Sequence, residues 1–349
     1  MNDIILAIRN IANGTPPQID ISDILYNHNC QYLLSKFQSD NISETLAFER
    51  TVNQIANKIR YKTCRSVFTE LNNAKIPYAV IKGAVISQMA YENPSYRNSA
   101  DIDVLVSRTD ADRVKNVLLS NGFVQGRVAE HKIIPFTREE LIFQVGTSHQ
   151  LAPFIKETGN KLCPFVNVDV NLDIMWGENK QKIDMEYMLS QTEDTELYGI
   201  KFHKLTPEAE FVSLCMHHYK DMNSLYLLWK GSLKLSLFSD IFFYLKKVNL
   251  NINKLMSIVA RFNIAKYLYY CVYYTDLIFD SYDTKKYLSM LYTNDAIEIL
   301  KSYGLDDEEK KMWNIGFFER LFCKNLQEHL NEFFSKKDKE KIMINRRYM

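Results

Sequence analysis

The hexapeptide Asp101-Ile102-Asp103-Val104-Leu105-Val106 constrains the fold more than any other stretch. Its apolar residues belong to a buried strand, and on a strand side chains two apart share a face. Asp101 and Asp103 therefore project together while Ile102 turns into the core. Two like charges at one spot of a buried strand call for a counter-cation, and hard divalent ions such as Mg²⁺ take carboxylate oxygens. A second D-x-D, Asp110 and Asp112, serves as a control. It opens the helix-like run "DADRVKNVLLSNG", where residues two apart do not face each other and acids favour the helix N-terminus. Thr109 followed by Asp112 reads as a capping-box-like start for that helix and Gly122 as its stop.

Upstream, "IPYAVIKG" is a short β-branched and aromatic run ending in Gly83, and the helix-like "AVISQMAYENPS" follows it. A helix beginning at a glycine turn offers backbone N–H groups to a triphosphate, and Lys82 adds a point charge there. Lys82 reads equally as a strand-end lysine snorkelling to solvent. Arg97 reads either as a clamp on one of the aspartates or as a nucleotide contact. Downstream, Asp169 and Asp173 lie on one face of the strand-like "FVNVDVNLDI", so either can add a carboxylate.

The order strand, glycine turn, helix and D-x-D strand resembles the core of the polymerase-β-like nucleotidyltransferase superfamily. It is closest to a branch of uncharacterised bacterial nucleotidyltransferases with a "KG…R…DIDLLV" core, matched here by Lys82, Gly83, Arg97 and Asp101 to Val106. A later "HHLPPL…vElHw" segment of that branch resembles "SHQLAPF", from Ser148, and "VDVNLDI", from Val168. The resemblance covers roughly Asp20 to Leu245. It implies an α+β fold, a small mixed sheet with helices flanked by helical N- and C-terminal parts, and it implies Mg²⁺ (or Mn²⁺) held by Asp101, Asp103 and Asp169. Lys82, Gly83, Arg97 and His149 would then serve the nucleotide or substrate, His149 being alternatively a structural histidine. Asn171 stands where the branch has histidine and Leu172 where it has an aromatic residue. The implied reaction moves an NMP, AMP by default, from an NTP to a hydroxyl or similar acceptor on a small molecule, sugar or peptide, and releases pyrophosphate. Transfer to RNA or protein is a second enzyme reading. A catalytically silent nucleotide-binding scaffold with a protein partner is a third.

The rest of the chain adds organisation and exclusions. Asp20 or Ser22 caps an early helix, Ser43 begins a longer amphipathic one, and helical patterns resume beyond Pro207. The expected parts are 1–75 helical, 76–204 the nucleotidyltransferase core, 205–334 helical and 335–349 a charged tail. Between Phe123 and Ile174 the strands expected are "KIIPF", "LIFQVG" and "FVNVDVNLDI", with "APFIKETGNKLCP" a long loop. With 43 basic and 42 acidic side chains, there is no cationic excess of the kind that coats long nucleic acid. Six scattered cysteines, Cys30, Cys64, Cys163, Cys215, Cys271 and Cys323, form no C-x-x-C and read as free thiols. His217 and His218 sit in an apolar helix with no third His or Cys at metal spacing, so zinc is not expected there. No signal-like segment and no apolar run of about 20 residues occurs, which suits a cytoplasmic protein without a membrane partner.

Overall fold

The computed structural model describes residues 1–34, 44–147, 149–177, 181 and 183–348; Ser43 and Ser148 lie outside them. The chain forms two compact units. One comprises Ala47–Ser213 and Leu250–Ile258, the other Met1–Leu46, Leu214–Asn249 and Val259–Met349.

The first unit is mixed α+β and is built on an eight-stranded sheet. Its strands are β1 (Tyr78–Ile81), β2 (Asp101–Val106), β3 (Val124–Ala129), β4 (Lys132–Pro135), β5 (Phe154–Asn160), β6 (Cys163–Asn171), β7 (Thr192–Leu197) and β8 (Ile200–Leu205). They lie in the order β4-β3-β5-β6-β2-β1-β8-β7. β2 runs parallel to β6 and antiparallel to β1, and β1 runs parallel to β8. The sheet is therefore mixed, as expected.

Alternation along β2 decides its orientation. Ile102, Val104 and Val106 are buried in one cluster with Val166, Val168 and Val170 of β6 and with Val67, Phe68 and Leu71 of the Arg65–Asn73 helix. Each such side chain contributes about 1.5–3 kcal/mol on burial. That is enough to hold a strand whose other face carries like charges. The Ala111–Ser120 helix adds Val114 and Leu118 to the same cluster.

Four local expectations are corrected. "LIFQVG" is not a strand but part of the Arg138–Thr147 helix. Thr137 and Glu140 form its capping box, with Thr137 N–H donating to Glu140 Oε2 (2.7 Å) and Glu140 N–H to Thr137 Oγ1 (3.3 Å). The supposed long loop is largely β5, hairpin-paired with β6 from Phe154↔Val168 to Asn160↔Cys163. The N-cap of the Ala111–Ser120 helix is Asp110 rather than Thr109, and it makes no side-chain cap bond; Ser107 instead caps the 3₁₀ turn Arg108–Asp110, its hydroxyl accepting from the Asp110 N–H. Neither Asp20 nor Ser22 is the N-cap of the Ser22–Asn27 helix, which is Ile21; Asp20 Oδ1 accepts the Ser22 N–H at 2.8 Å just ahead of it.

The other unit is helical apart from the short pair β9 (Ser302–Tyr303) and β10 (Lys311–Met312). Its core is aromatic, with Phe242 stacked on Phe279 at 4.4 Å and Tyr274 on Phe317 at 4.1 Å. The charged end is not a frayed tail: Lys336–Tyr348 is a helix. Asp338, buried in its first turn, accepts from Ser335 N–H at 2.8 Å and pairs with Lys311 at 2.9 Å. Among the described residues no helix is long and apolar enough to cross a membrane.

Candidate active site

The parallel pairing of β2 with β6 sets Asp103 directly beside Asp169, with Asp101 beside Asn167 and Leu105 beside Asn171. Paired residues share a face and neighbouring strands lie about 4.8 Å apart. Asp101, Asp103 and Asp169 thus stand on the face opposite the apolar cluster. Asp173 does not join them: β6 ends at Asn171, and Asp173 Oδ1 instead takes the Met175 N–H at 2.9 Å.

Lys82 reaches this group from β1. Ile81 pairs with Asp103, and the next residue turns the chain into the Gly83–Tyr91 helix with φ +57° and ψ −151°. This is a sparsely populated conformation for a lysine, costing of order 1–3 kcal/mol, and two contacts hold it. The Lys82 N–H donates to Glu210 Oε1 at 3.1 Å, and the Lys82 ammonium donates to Asp103 Oδ1 at 2.8 Å, with both side chains buried. Lys82 therefore does not snorkel.

Asp103 Oδ1 also accepts from Asn171 Nδ2 at 3.0 Å, and Asn171 Oδ1 in turn accepts from Gln150 Nε2 at 2.5 Å. A continuous polar chain runs from Gln150 through Asn171 and Asp103 to Lys82. Burial, and then the neighbouring Asp103 carboxylate, push the Asp101 carboxyl above its ordinary value, against the charges of Lys82, Arg97 and Arg60. Crowding of this kind is what a bound divalent cation relieves, and an all-carboxylate donor set suits a hard ion such as Mg²⁺.

Arg97 lies in the segment that leads into β2. Its N–H donates to Ser87 Oγ at 2.9 Å and its carbonyl accepts from Asn53 Nδ2 at 3.1 Å. His149 lies beside the end of β6. Its carbonyl accepts from Leu172 N–H at 2.8 Å, and Gln150, not His149, bridges Asn171. His149 borders a cavity of about 660 Å³ at the C-terminal ends of β2 and β6, with Arg108, Asp173 and Trp176 in its walls. Burial raises the Asp173 carboxyl there, opposed by the Met175 N–H and the Arg108 charge.

A family model described as "Uncharacterised nucleotidyltransferase" matches residues 18–280. The chain belongs to this nucleotidyltransferase family. Among solved structures it is similar to an antigenic nucleotidyltransferase-like protein from Paracoccidioides brasiliensis, at 18% identity and a TM-score of 0.33, with 60% of this chain and 92% of that one covered. No curated protein matches.

Two features of this nucleotidyltransferase depart from the pattern it resembles, and both have a structural counterpart. Asn171 bonds Asp103 from the place of the expected histidine. Leu172, in place of an aromatic residue, is buried with the β-sheet cluster. Glu210, Gln150 and Arg60 are neighbours of the site that the sequence reading missed. Glu210 left a signal, an acid inside the apolar run "EAEFVSLC", whereas Gln150 and Arg60 left none.

Gly83 has φ +44°, and a Cβ there would lie 2.8 Å from Ser99 Oγ and 3.5 Å from Ser99 Cβ. Gly83→Ala is expected to lose about 1–2 kcal/mol from the left-handed backbone plus the cost of the clash. Adding Ser99→Ala should recover the clash part alone, since the remaining Cβ contact is ordinary. Denaturant unfolding of the two variants measures this; equal stability of Gly83→Ala and wild type would refute the argument.

Proposed function

We propose that this chain is a metal-dependent nucleotidyltransferase of the polymerase-β-like kind, in which Asp101, Asp103 and Asp169 hold Mg²⁺ (Mn²⁺ substituting) and an NTP donates its NMP. The observation that carries the reading is the Asp103↔Asp169 register, which puts the carboxylates of two strands side by side. Bound there, the metal would neutralise charge on the attacking and leaving oxygens of the phosphoryl group.

The chain's own residues have separate tasks. At the start of the Gly83–Tyr91 helix the Val85 and Ile86 amides donate to the Lys82 carbonyl, and the Gly83 and Ala84 amides, which precede any intrahelical acceptor, suit phosphate oxygens. Lys82 neutralises Asp103 until the triphosphate and its cation arrive, and its ammonium then has phosphate oxygens to bond. Arg97 offsets the Asp101 charge. Asp169 takes the proton of the acceptor hydroxyl. The acceptor class favoured is a small molecule, sugar or peptide, and the cavity bordered by His149 is of a size for one. ATP is the default donor and the cytoplasm the expected compartment.

One observation favours a second reading. The Lys82 ammonium and the Asn171 amide both occupy Asp103 Oδ1, as a catalytically silent nucleotide-binding scaffold could keep them permanently.

Calorimetry of each common NTP, with and without Mg²⁺, separates these readings from each other and from error. Mg²⁺-dependent binding that is lost in Asp101→Ala/Asp103→Ala, followed by transfer of labelled nucleotide to an acceptor, is the expected result. Binding without transfer would favour the scaffold. Binding that the double variant retains in full would overturn the site.

A further inference from the structure

The helical unit gathers a second, chemically different set of ligating groups. On the Pro207–Asn223 helix, His217 and Asp221 are four residues apart and lie one above the other. His217 Nε2 is 3.3 Å from Asp221 Oδ2. His218 follows His217 with ring centroids 5.7 Å apart, and one ligating atom from each of His217, His218 and Asp221 lies within 4.8 Å of the others.

His218 supplies the second, independent observation. Its side chain is 0% exposed, and neither ring nitrogen makes a hydrogen bond. Nε2 lies 3.3 Å from Asp240 Oδ2, a buried carboxylate on the Leu235–Lys247 helix. A buried polar group left without hydrogen bonds carries a desolvation cost that proteins otherwise avoid.

We propose that His217, His218 and Asp221 bind one divalent transition metal ion, with Zn²⁺ the preferred occupant and Asp240 the carboxylate that orients His218. Two arguments select the metal. Imidazole nitrogens with a carboxylate suit zinc, nickel or cobalt, whereas Mg²⁺ takes oxygen ligands. The separation of 3.3 Å between His217 Nε2 and Asp221 Oδ2 also matches the ligand-to-ligand edge of a tetrahedron with zinc bonds of about 2.0–2.1 Å.

Charge supports the same choice. Two neutral imidazoles and the carboxylates of Asp221 and Asp240 balance a doubly charged ion, and a carboxylate behind a ligating histidine is the usual way to fix its ring. The side chains of His217 and Asp221 are 19% and 20% exposed, which leaves the ion a way in. Because Asp240 belongs to another helix, occupancy would tie the two helices together and stabilise the helical unit. Asp221, one helical turn on from His217, supplies the third ligand that no histidine or cysteine of the helix provides.

The test uses full-length protein stripped with a chelator and Zn²⁺ alone as the probe. One equivalent should be taken from a chromophoric chelator, and the thermal midpoint should rise with Zn²⁺ but not with Mg²⁺. Co²⁺ in its place should show the visible bands of tetrahedral coordination. His217→Ala and Asp221→Ala, both partly exposed positions, should each weaken binding at least about tenfold, while Asp101→Ala/Asp103→Ala should leave it unchanged. Zinc uptake equal in wild type and His217→Ala/Asp221→Ala, or none by folded wild type, would overturn the proposal. His218→Ala is less informative, since the loss of a buried ring can itself unfold the helix.

Discussion

Asp103→Ala is expected to abolish Mg²⁺-dependent nucleotide binding and to destabilise the protein at the same time. The buried Lys82 ammonium donates to Asp103 Oδ1, and removing one partner of a buried pair costs up to about 3–5 kcal/mol, reduced by the nearby Asp101 carboxylate, on which the Lys82 charge also acts. The two consequences come apart in a double variant. Lys82→Met/Asp103→Ala removes both charges and should recover most of the lost stability, while metal-dependent nucleotide binding stays more than about a hundredfold weaker than in wild type. Denaturant titration measures the first effect and calorimetry the second. An Asp103→Ala variant as stable as wild type would mean that the ion pair contributes nothing to the fold.

Glu210 sets the second large effect. Its carboxyl is wholly buried and is pushed up to about 7, by burial first and against the Lys82 N–H and the charges of Lys204 and Lys82. An unfolded chain releases that proton near the ordinary value of 4.5. Between these two points the native state holds more protons than the unfolded state, so stability falls as pH rises through the interval. The gap corresponds to about 3 kcal/mol of stability, fully present below the lower value and fully lost above about 7. Glu210→Gln keeps an oxygen for the Lys82 N–H and has no proton to lose. Its stability should match wild type in acid and exceed it by about that amount at pH 8. Denaturant curves at several pH values give the comparison, and parallel pH profiles for the two proteins would sink the argument. Glu210→Ala removes the acceptor and leaves the strained Lys82 N–H buried, a further loss of about 1–3 kcal/mol.

Much of the candidate site is legible in the amino-acid sequence. The strand, the glycine turn and the D-x-D strand were each written in local residues, because period, glycine and charge all act within a few positions. The parallel register of Asp103 with Asp169 was not local. It pairs strands separated by a 3₁₀ turn, two α-helices and the strands β3, β4 and β5, and only the family resemblance pointed to Asp169. Strand pairing also decided against Asp173, since β6 stops at Asn171, an end that the continued alternation of "VNLDI" concealed.

Other misses had local causes. "LIFQVG" is apolar enough to suit either period, and the capping box at Thr137 and Glu140, which settles it as helix, was present but unread. The β5–β6 hairpin hid behind a polar turn, with Gly159 at φ +70°. The network through Gln150 and Asn171 has no sequence signature at all. It exists because an isolated bridge sets Gln150 opposite the end of β6.

The ladder between β2 and β6 has a consequence for how such an enzyme can diversify. Main-chain hydrogen bonds fix the spacing of Asp103 and Asp169, so under the proposed function the geometry of the metal site would not depend on the length or sequence of the chain between the two strands. That intervening stretch supplies Arg108 and His149 to the cavity wall. If the cavity takes the acceptor as proposed, insertions and exchanges there would retune what is accepted while the carboxylates keep their register. Selection, or an engineer, can therefore treat recognition and chemistry as separately heritable modules.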